Sequence, residues 1–279
     1  MVFAPARGRR PGAKGRLVAP PTPEELEECP FCETREDRTP PETFAVGPSG
    51  REPDTPGWQV RVVPNLYPAF ERQEVVVHTP RHARSLAELE EPELESIAAA
   101  WHQRIETAHT EGFSYVQLLL NEGREAGASL PHSHSQLVWL REAPPEVAAE
   151  LPRLAAGDCA LCGLTDDLEI AFQGGLSLRA ASAGRVPYEL LITPREHAAE
   201  PGQADLHDAL VLLRRAIGGL HQLEGPLPLN AWLHTGAHWH LEIVPRLTVL
   251  AGLELGAGLY VNWLAPEEAA EALGALVAV

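Results

Sequence analysis

The sequence predicts an α+β fold of two similar halves, each an antiparallel sheet with a crossing helix, joined into one pseudo-twofold unit. The first reason is an ordered echo. Cys29-Pro-Phe-Cys32, Thr79-Pro80-Arg81-His82 and His132-Ser133-His134 return in the same order as Cys159-Ala-Leu-Cys162, Thr193-Pro194-Arg195-Glu196-His197 and His238-Trp239-His240. Motifs repeated in one order indicate an internal duplication. The second reason is a set of short alternating or apolar runs bounded by turn residues, the signature of strands. The third is one long segment per half with apolar residues at helical spacing. The halves are expected at residues 1–150, carrying the chemistry, and 151–279.

Residues 1–16 hold Arg7, Arg9, Arg10, Lys14 and Arg16 and no acid, and read as a basic arm without regular structure. Residues 17–57 are rich in Pro and Glu and are expected to wrap around the first Cys pair. Trp58 to Val63 alternates, so it starts the sheet. Pro64-Asn65-Leu66-Tyr67-Pro68 is a turn, and Glu74 to His78 is a second strand. From Leu86 to His109 the apolar residues Leu86, Leu89, Leu94, Ile97, Ala98, Trp101 and Ile105 approximate a 3.6-residue period, which predicts a helix. Tyr115 to Leu120 is a third strand. It feeds a small polar loop, Asn121 to Ser129, and then a strand running from His132 through Leu140. In the second half, Leu176 to Arg179 and Tyr188 to Ile192 read as strands, Leu206 to Leu223 as the helix, and Leu229 to His234 and His238 to Glu242 as the closing strands.

Hydrophobic content of 44% and charged content of 22% suit a globular chain. A net charge of −17 argues against general binding to nucleic acid or anionic lipid, which needs a basic face. It leaves room for a nucleotide held by a few local arginines. No run of about 18 apolar residues is present, so no membrane span is expected. The start of the chain lacks the apolar stretch of a secretory signal, so a cytoplasmic location is expected. There, Cys-x-x-Cys means metal or redox chemistry rather than a structural disulfide. Two such pairs, each followed by well-spaced histidines, favour zinc. The expected ligand sets are Cys29, Cys32, His82 and His132, then Cys159, Cys162, His197 and His238. His78 competes with His82, and His234 and His240 compete with His238.

The chemistry is expected where the glycine loop meets His132-Ser133-His134-Ser135-Gln136. Glycines let backbone N–H groups approach a phosphate. In a strand, His132, His134 and Gln136 share one face. With His132 pinned by zinc, His134 is held still to attack phosphorus, as a neutral imidazole can near pH 7. Gln136 can donate an amide hydrogen to a phosphate oxygen. The second half has a shorter loop and Glu242 in place of the Gln, and a carboxylate there would repel phosphate.

These residues resemble the galactose-1-phosphate uridylyltransferase family of the histidine-triad superfamily, over nearly the whole chain. The matching segment is Asn121-x-Gly123-x-x-x-Gly127-Ala128-Ser129-x-Pro131-His132-x-His134-x-Gln136. The resemblance implies a nucleotidyltransferase in which His134 becomes nucleotidylated and His132 is a zinc ligand. It implies substrate contacts from Asn121, Gly127, Ser129 and Gln136, and from Arg7 and Arg10 of the N-terminal arginine segment. Asn65 is similar to a ribose and base contact of the family, and Glu254 in Gly252-Leu253-Glu254 to a sugar contact. Implied partners are a nucleotide sugar and a sugar 1-phosphate, as in exchange between UDP-glucose and galactose 1-phosphate. Family members are commonly dimers with a shared active site. The second Cys pair is similar to the two-zinc members, which include ADP-glucose phosphorylases, so an ADP-glucose phosphorylase-like activity is the alternative. A dinucleotide phosphorylase or hydrolase of the superfamily is a further one, although hydrolases there usually carry a third histidine where this chain has Gln136. From another class, the zinc pairs alone would permit a non-catalytic nucleotide-binding module.

Overall fold

In chain order, the computed structural model has β1 (Val2–Phe3), α1 (Pro23–Glu28), β2 (Phe44–Val46), β3 (Val60–Pro64), β4 (Arg72–Val77), α2 (Glu91–Thr110), β5 (Tyr115–Glu122) and β6 (His134–Leu140). The second half adds α3 (Pro145–Leu154), β7 (Glu169–Gln173), β8 (Leu176–Ala180), β9 (Leu190–Pro194), α4 (Gln203–Glu224), β10 (Leu229–His234), β11 (His240–Pro245), α5 (Gly252–Ala257), β12 (Val261–Asn262) and α6 (Pro266–Val277). The structure describes residues 1–9, 17–155 and 157–277.

Among the described residues, ten strands form one sheet, in the order β2-β3-β4-β6-β5-β10-β11-β9-β8-β7, and every pairing in it is antiparallel. Reading outward from the centre, β5-β6-β4-β3-β2 is matched by β10-β11-β9-β8-β7. The duplicated halves are therefore related by a pseudo-twofold between β5 and β10, and their two sheets are continuous.

One face of the sheet is covered by helices. On α2, Leu94, Ile97, Ala98, Trp101 and Ala108 are buried; on α4, Leu206, Leu210, Leu213, Ile217 and Leu220 are. They pack with Leu118, Leu120, Leu137 and Trp139 of the sheet in one core. Each fully buried Leu or Ile here contributes about 1.5–3 kcal/mol. The other face carries a smaller cluster of Cys29, Phe31, Trp58, Val63, Val75 and Val77. Strand alternation places His134 and Gln136 on that second face, opposite Val77 and Val75.

Several boundaries differ from expectation. Leu86–Glu88 is a single 3₁₀ turn, and the helix begins only at Glu91, where Pro92 suits a first turn. Tyr188 sits in a turn with φ +57°, so the strand starts at Leu190. His132 lies in the bend before β6 rather than inside the strand. The arm reading fails for Arg9: Pro5–Arg9 is a 3₁₀ turn beside β1, which pairs in parallel with β12. Val2 N–H donates to Tyr260 O at 2.7 Å and Ala4 N–H to Asn262 O at 2.8 Å, partners no local pattern announces. Arg10, Lys14 and Arg16 lie outside the described residues. No helix among the described residues is long and apolar enough to cross a membrane.

Candidate functional site

The first four expected zinc ligands come together from four separate segments. Cys29 Sγ is 3.3 Å from His132 Nδ1, Cys32 Sγ is 3.4 Å from His82 Nδ1, and Cys32 Sγ is 3.8 Å from His132 Nδ1. Edges of a tetrahedron with zinc–ligand bonds near 2.0–2.3 Å are about 3.6 Å. The outer ring nitrogens are engaged elsewhere: His132 Nε2 meets Thr79 O at 3.0 Å and His82 Nε2 meets Glu25 Oε1 at 3.0 Å. Such partners orient metal-binding imidazoles. Burial and the neighbouring Cys29 push the Cys32 thiol up to about 12, so a cation is needed to bring that sulfur to a thiolate. The residues fit zinc.

The second set repeats this. Cys159 Sγ lies 3.2 Å and Cys162 Sγ 3.4 Å from His238 Nδ1, and Cys162 Sγ lies 3.4 Å from His197 Nδ1. His238 Nε2 meets Pro194 O at 3.1 Å. His238, not His234 or His240, therefore joins the cysteines. His78 does not compete with His82 either. It is fully buried, with Nδ1 2.9 Å from Ser133 Oγ and Nε2 3.0 Å from Ser135 Oγ, while Trp101 Nε1–H donates to Ser135 Oγ at 2.8 Å.

His134 stands at the start of β6. Its Nδ1–H donates to the His132 carbonyl at 2.6 Å, which assigns the proton and leaves a lone pair on Nε2. Burial holds its pKa below the usual imidazole value, against that carbonyl, so the ring is neutral at pH 7. The edge of Phe31 packs on it at 5.4 Å between centroids. Gln136 Oε1 accepts from Gln73 Nε2 at 2.8 Å and Asn65 Nδ2 at 3.4 Å, so Gln136 has its amide hydrogens to give. Asn121 Oδ1 accepts from Asn230 at 2.7 Å. The loop between them turns at Gly123 (φ +81°) and Gly127 (φ +93°). A Cβ on Gly123 would sit 2.9 Å from Pro228, so only glycine fits. Asn121, Ser129 and His132 also border a cleft of about 1200 Å³ that extends beneath this loop to Arg84 and Glu122.

Arg7 and Glu254 are not beside His134. They line a separate small pocket with Arg185 and Trp263, at the β1–β12 seam, and no residue of the His134 site borders it. Arg10 is outside the described residues.

Sequence reasoning missed a third group, Glu150, His234, His240 and Glu242, whose ligand-type atoms lie within 4.8 Å of one another. His234 Nδ1 is 2.9 Å from Glu150 Oε2, and Arg185 pairs with both Glu242 and Glu189. Glu242 is thus tied into an ionic network on the same face as His240. Only the spacing His238-x-His240-x-Glu242 hinted at it; Glu150 comes from α3.

A family model described as "Galactose-1-phosphate uridyl transferase, N-terminal domain" matches residues 67–145. The ADP-glucose phosphorylase of Arabidopsis thaliana is 30% identical over 98% of this chain and 89% of its own length. The chain belongs to the galactose-1-phosphate uridylyltransferase family. The galactose-1-phosphate uridylyltransferase of Thermotoga maritima is 24% identical over 72% of each chain. The crystal structure of the Arabidopsis ADP-glucose phosphorylase with bound ADP-glucose superposes with a TM-score of 0.83 at 29% identity, covering 98% of this chain and 94% of that one. A uridylyltransferase structure gives 0.78 at 26% identity, covering 94% of each chain. The uridylyltransferase family comprises nucleotidyl-transfer enzymes, and this chain is an enzyme of that class.

Proposed function

We propose that the chain moves a nucleoside monophosphate from a nucleoside diphosphate sugar to a phosphate-bearing acceptor through a covalent intermediate on His134. The observation that carries this is the His134 ring itself. It is neutral, locked by the His132 carbonyl at Nδ1, and has its Nε2 lone pair on the sheet face shared with Gln136. In the first step, Nε2 attacks the α-phosphorus, an N–P bond forms, and the bond from that phosphorus to the bridging oxygen breaks. Sugar 1-phosphate leaves with the electron pair. In the second step, an acceptor phosphate oxygen attacks the same phosphorus and the lone pair returns to Nε2.

Gln136 and Asn121 donate amide hydrogens to the oxygens of the transferring phosphate, with Ser129 and the backbone at Gly127 beside them. Asn65 holds the ribose and base. Cys29, Cys32, His82 and His132, and likewise Cys159, Cys162, His197 and His238, would hold a structural zinc. With four protein ligands it would keep no open position and would supply rigidity where His132 anchors the start of β6. Residues 1–150 thus form the catalytic half. Arg7 and Glu254 serve the phosphates and the hexose, with Arg10 in the same segment. Their pocket is separate from His134 of the same chain, which supports a homodimer in which each copy completes the other's site.

ADP-glucose with inorganic phosphate is the donor and acceptor pair that the 30% identity and the TM-score of 0.83 favour. Exchange between UDP-glucose and galactose 1-phosphate is the second reading, favoured by the family model over residues 67–145. Intact-mass measurement after mixing with ADP-glucose or UDP-glucose, without acceptor, tests both. The added mass names the nucleotide, and His134→Ala abolishes the adduct and turnover. Full turnover by His134→Ala would end the proposal, and steady release of free nucleotide without acceptor would point to hydrolysis.

A further inference from the structure

The second half of the chain reaches into the first at one side chain. Asn230, on β10, lies opposite Asn121 of β5 in the sheet register. Its Nδ2 is 2.7 Å from Asn121 Oδ1 and 2.8 Å from the Ala126 carbonyl oxygen. A carbonyl oxygen only accepts, so the atom facing Ala126 must be the amide nitrogen. That same nitrogen faces Asn121, which must therefore present its oxygen. Arg246 approaches Asn230 Oδ1 from the other side at 3.5 Å, which agrees with this orientation. With Oδ1 occupied, Asn121 turns its Nδ2 toward Gly127, 4.0 Å from where a Cβ on that glycine would stand. The donor end of Asn121 thus faces the inside of the loop.

We infer that Asn230 is a positioning residue: it fixes the amide of Asn121 with its N–H groups toward the substrate phosphate and ties down the Arg124–Ala126 turn at the same time. This rests on the nucleotidyl-transfer reading above. Both hydrogens of the Asn230 amide are spent on these two oxygens, so the loop's polarity is set from the neighbouring half. Without Asn230 the Asn121 amide can flip and offer an oxygen, which repels an anionic phosphate. Asn230 touches no reacting atom; it acts through Asn121.

A double-mutant cycle tests this. Asn230→Ala and Asn121→Ala are each expected to lower kcat/KM for ADP-glucose by about 10- to 100-fold, the range for one misdirected hydrogen bond to a charged group. The double variant is expected to be only slightly slower than Asn121→Ala alone, far short of the product of the two losses, because Asn230 then has only the Ala126 carbonyl left to hold. Asn230→Asp is expected to be slower than Asn230→Ala, since its carboxylate faces two acceptors and forces the flip. Zinc content should stay at the wild-type value in Asn230→Ala, and the variant should remain folded at the assay temperature. Losses that multiply in the double variant, or wild-type kinetics in Asn230→Ala, would overturn the inference. If Asn230→Asp does not fold, the alanine cycle decides alone. If the wild type forms no adduct with ADP-glucose or UDP-glucose, the nucleotidyl-transfer reading fails by itself; the same cycle, read in Kd for ADP and UDP, then decides whether Asn230 orients Asn121.

Discussion

Glu122 ends β5 one residue after Asn121 and is buried, with Ser85 Oγ donating to Oε2 at 2.7 Å and the Leu86 N–H donating to Oε1 at 2.6 Å. Burial raises its pKa from 4.5 to about 7, and those two donors only partly offset this. The folded carboxyl therefore binds a proton more tightly than the unfolded one. Its contribution to stability is present at low pH and is lost as pH rises from 4.5 toward 7. Each tenfold difference in proton affinity is worth about 1.4 kcal/mol, so the loss across that window is about 3 kcal/mol. Glu122→Gln removes the titration and keeps the shape. Its oxygen still accepts from Leu86 N–H, and the Ser85 hydroxyl can turn to accept from the new amide. Urea unfolding followed by Trp fluorescence, at steps from pH 4.5 to 8 with zinc present, should show the variant gaining on wild type by about 3 kcal/mol as pH rises. A difference that stays flat across those pH steps, or that moves the other way, would refute the reasoning.

Replacing His78 with Phe removes the partner of two buried serine hydroxyls beneath His132 and His134 and should cost about 2–3 kcal/mol, read as a lower urea midpoint; an unchanged midpoint contradicts a bracing role. Zinc analysis should find two ions per chain, and Cys159→Ser should leave one without loss of the His134 adduct; adduct loss would join the second site to the chemistry. Co-expressing His134→Ala with Arg7→Ala should restore up to about one quarter of wild-type turnover, because random pairing leaves one intact shared site in half of the dimers. No recovery would place Arg7 and His134 in the same chain's site.

The two Cys-x-x-Cys pairs, the distant histidines that meet them and the order of the repeat were legible in the sequence. Each depends on local signals: ligand types at metal spacing, turn residues, and apolar periods of two or 3.6. Both four-residue clusters form as expected, and all eight expected strands and both long helices are found, with ends displaced by up to five residues. Short or masked signals failed. β2 has only three residues, β12 only two, and β1 is a strand solely because residues 260–262 happen to lie beside it.

The residue types in the His134 loop belong to the sequence; what each one can donate was decided only by the tertiary structure. An amide has two ends of opposite polarity, and which end faces a substrate depends on what occupies the other. For Gln136 that is Gln73 and Asn65, and for Asn121 it is Asn230, 109 residues away across the β5–β10 seam. In the same way, Arg7 and Glu254 are placed together, and apart from His134, by the pairing of the chain's two ends. Long-range strand pairing sets these relations, and no window of sequence contains both partners.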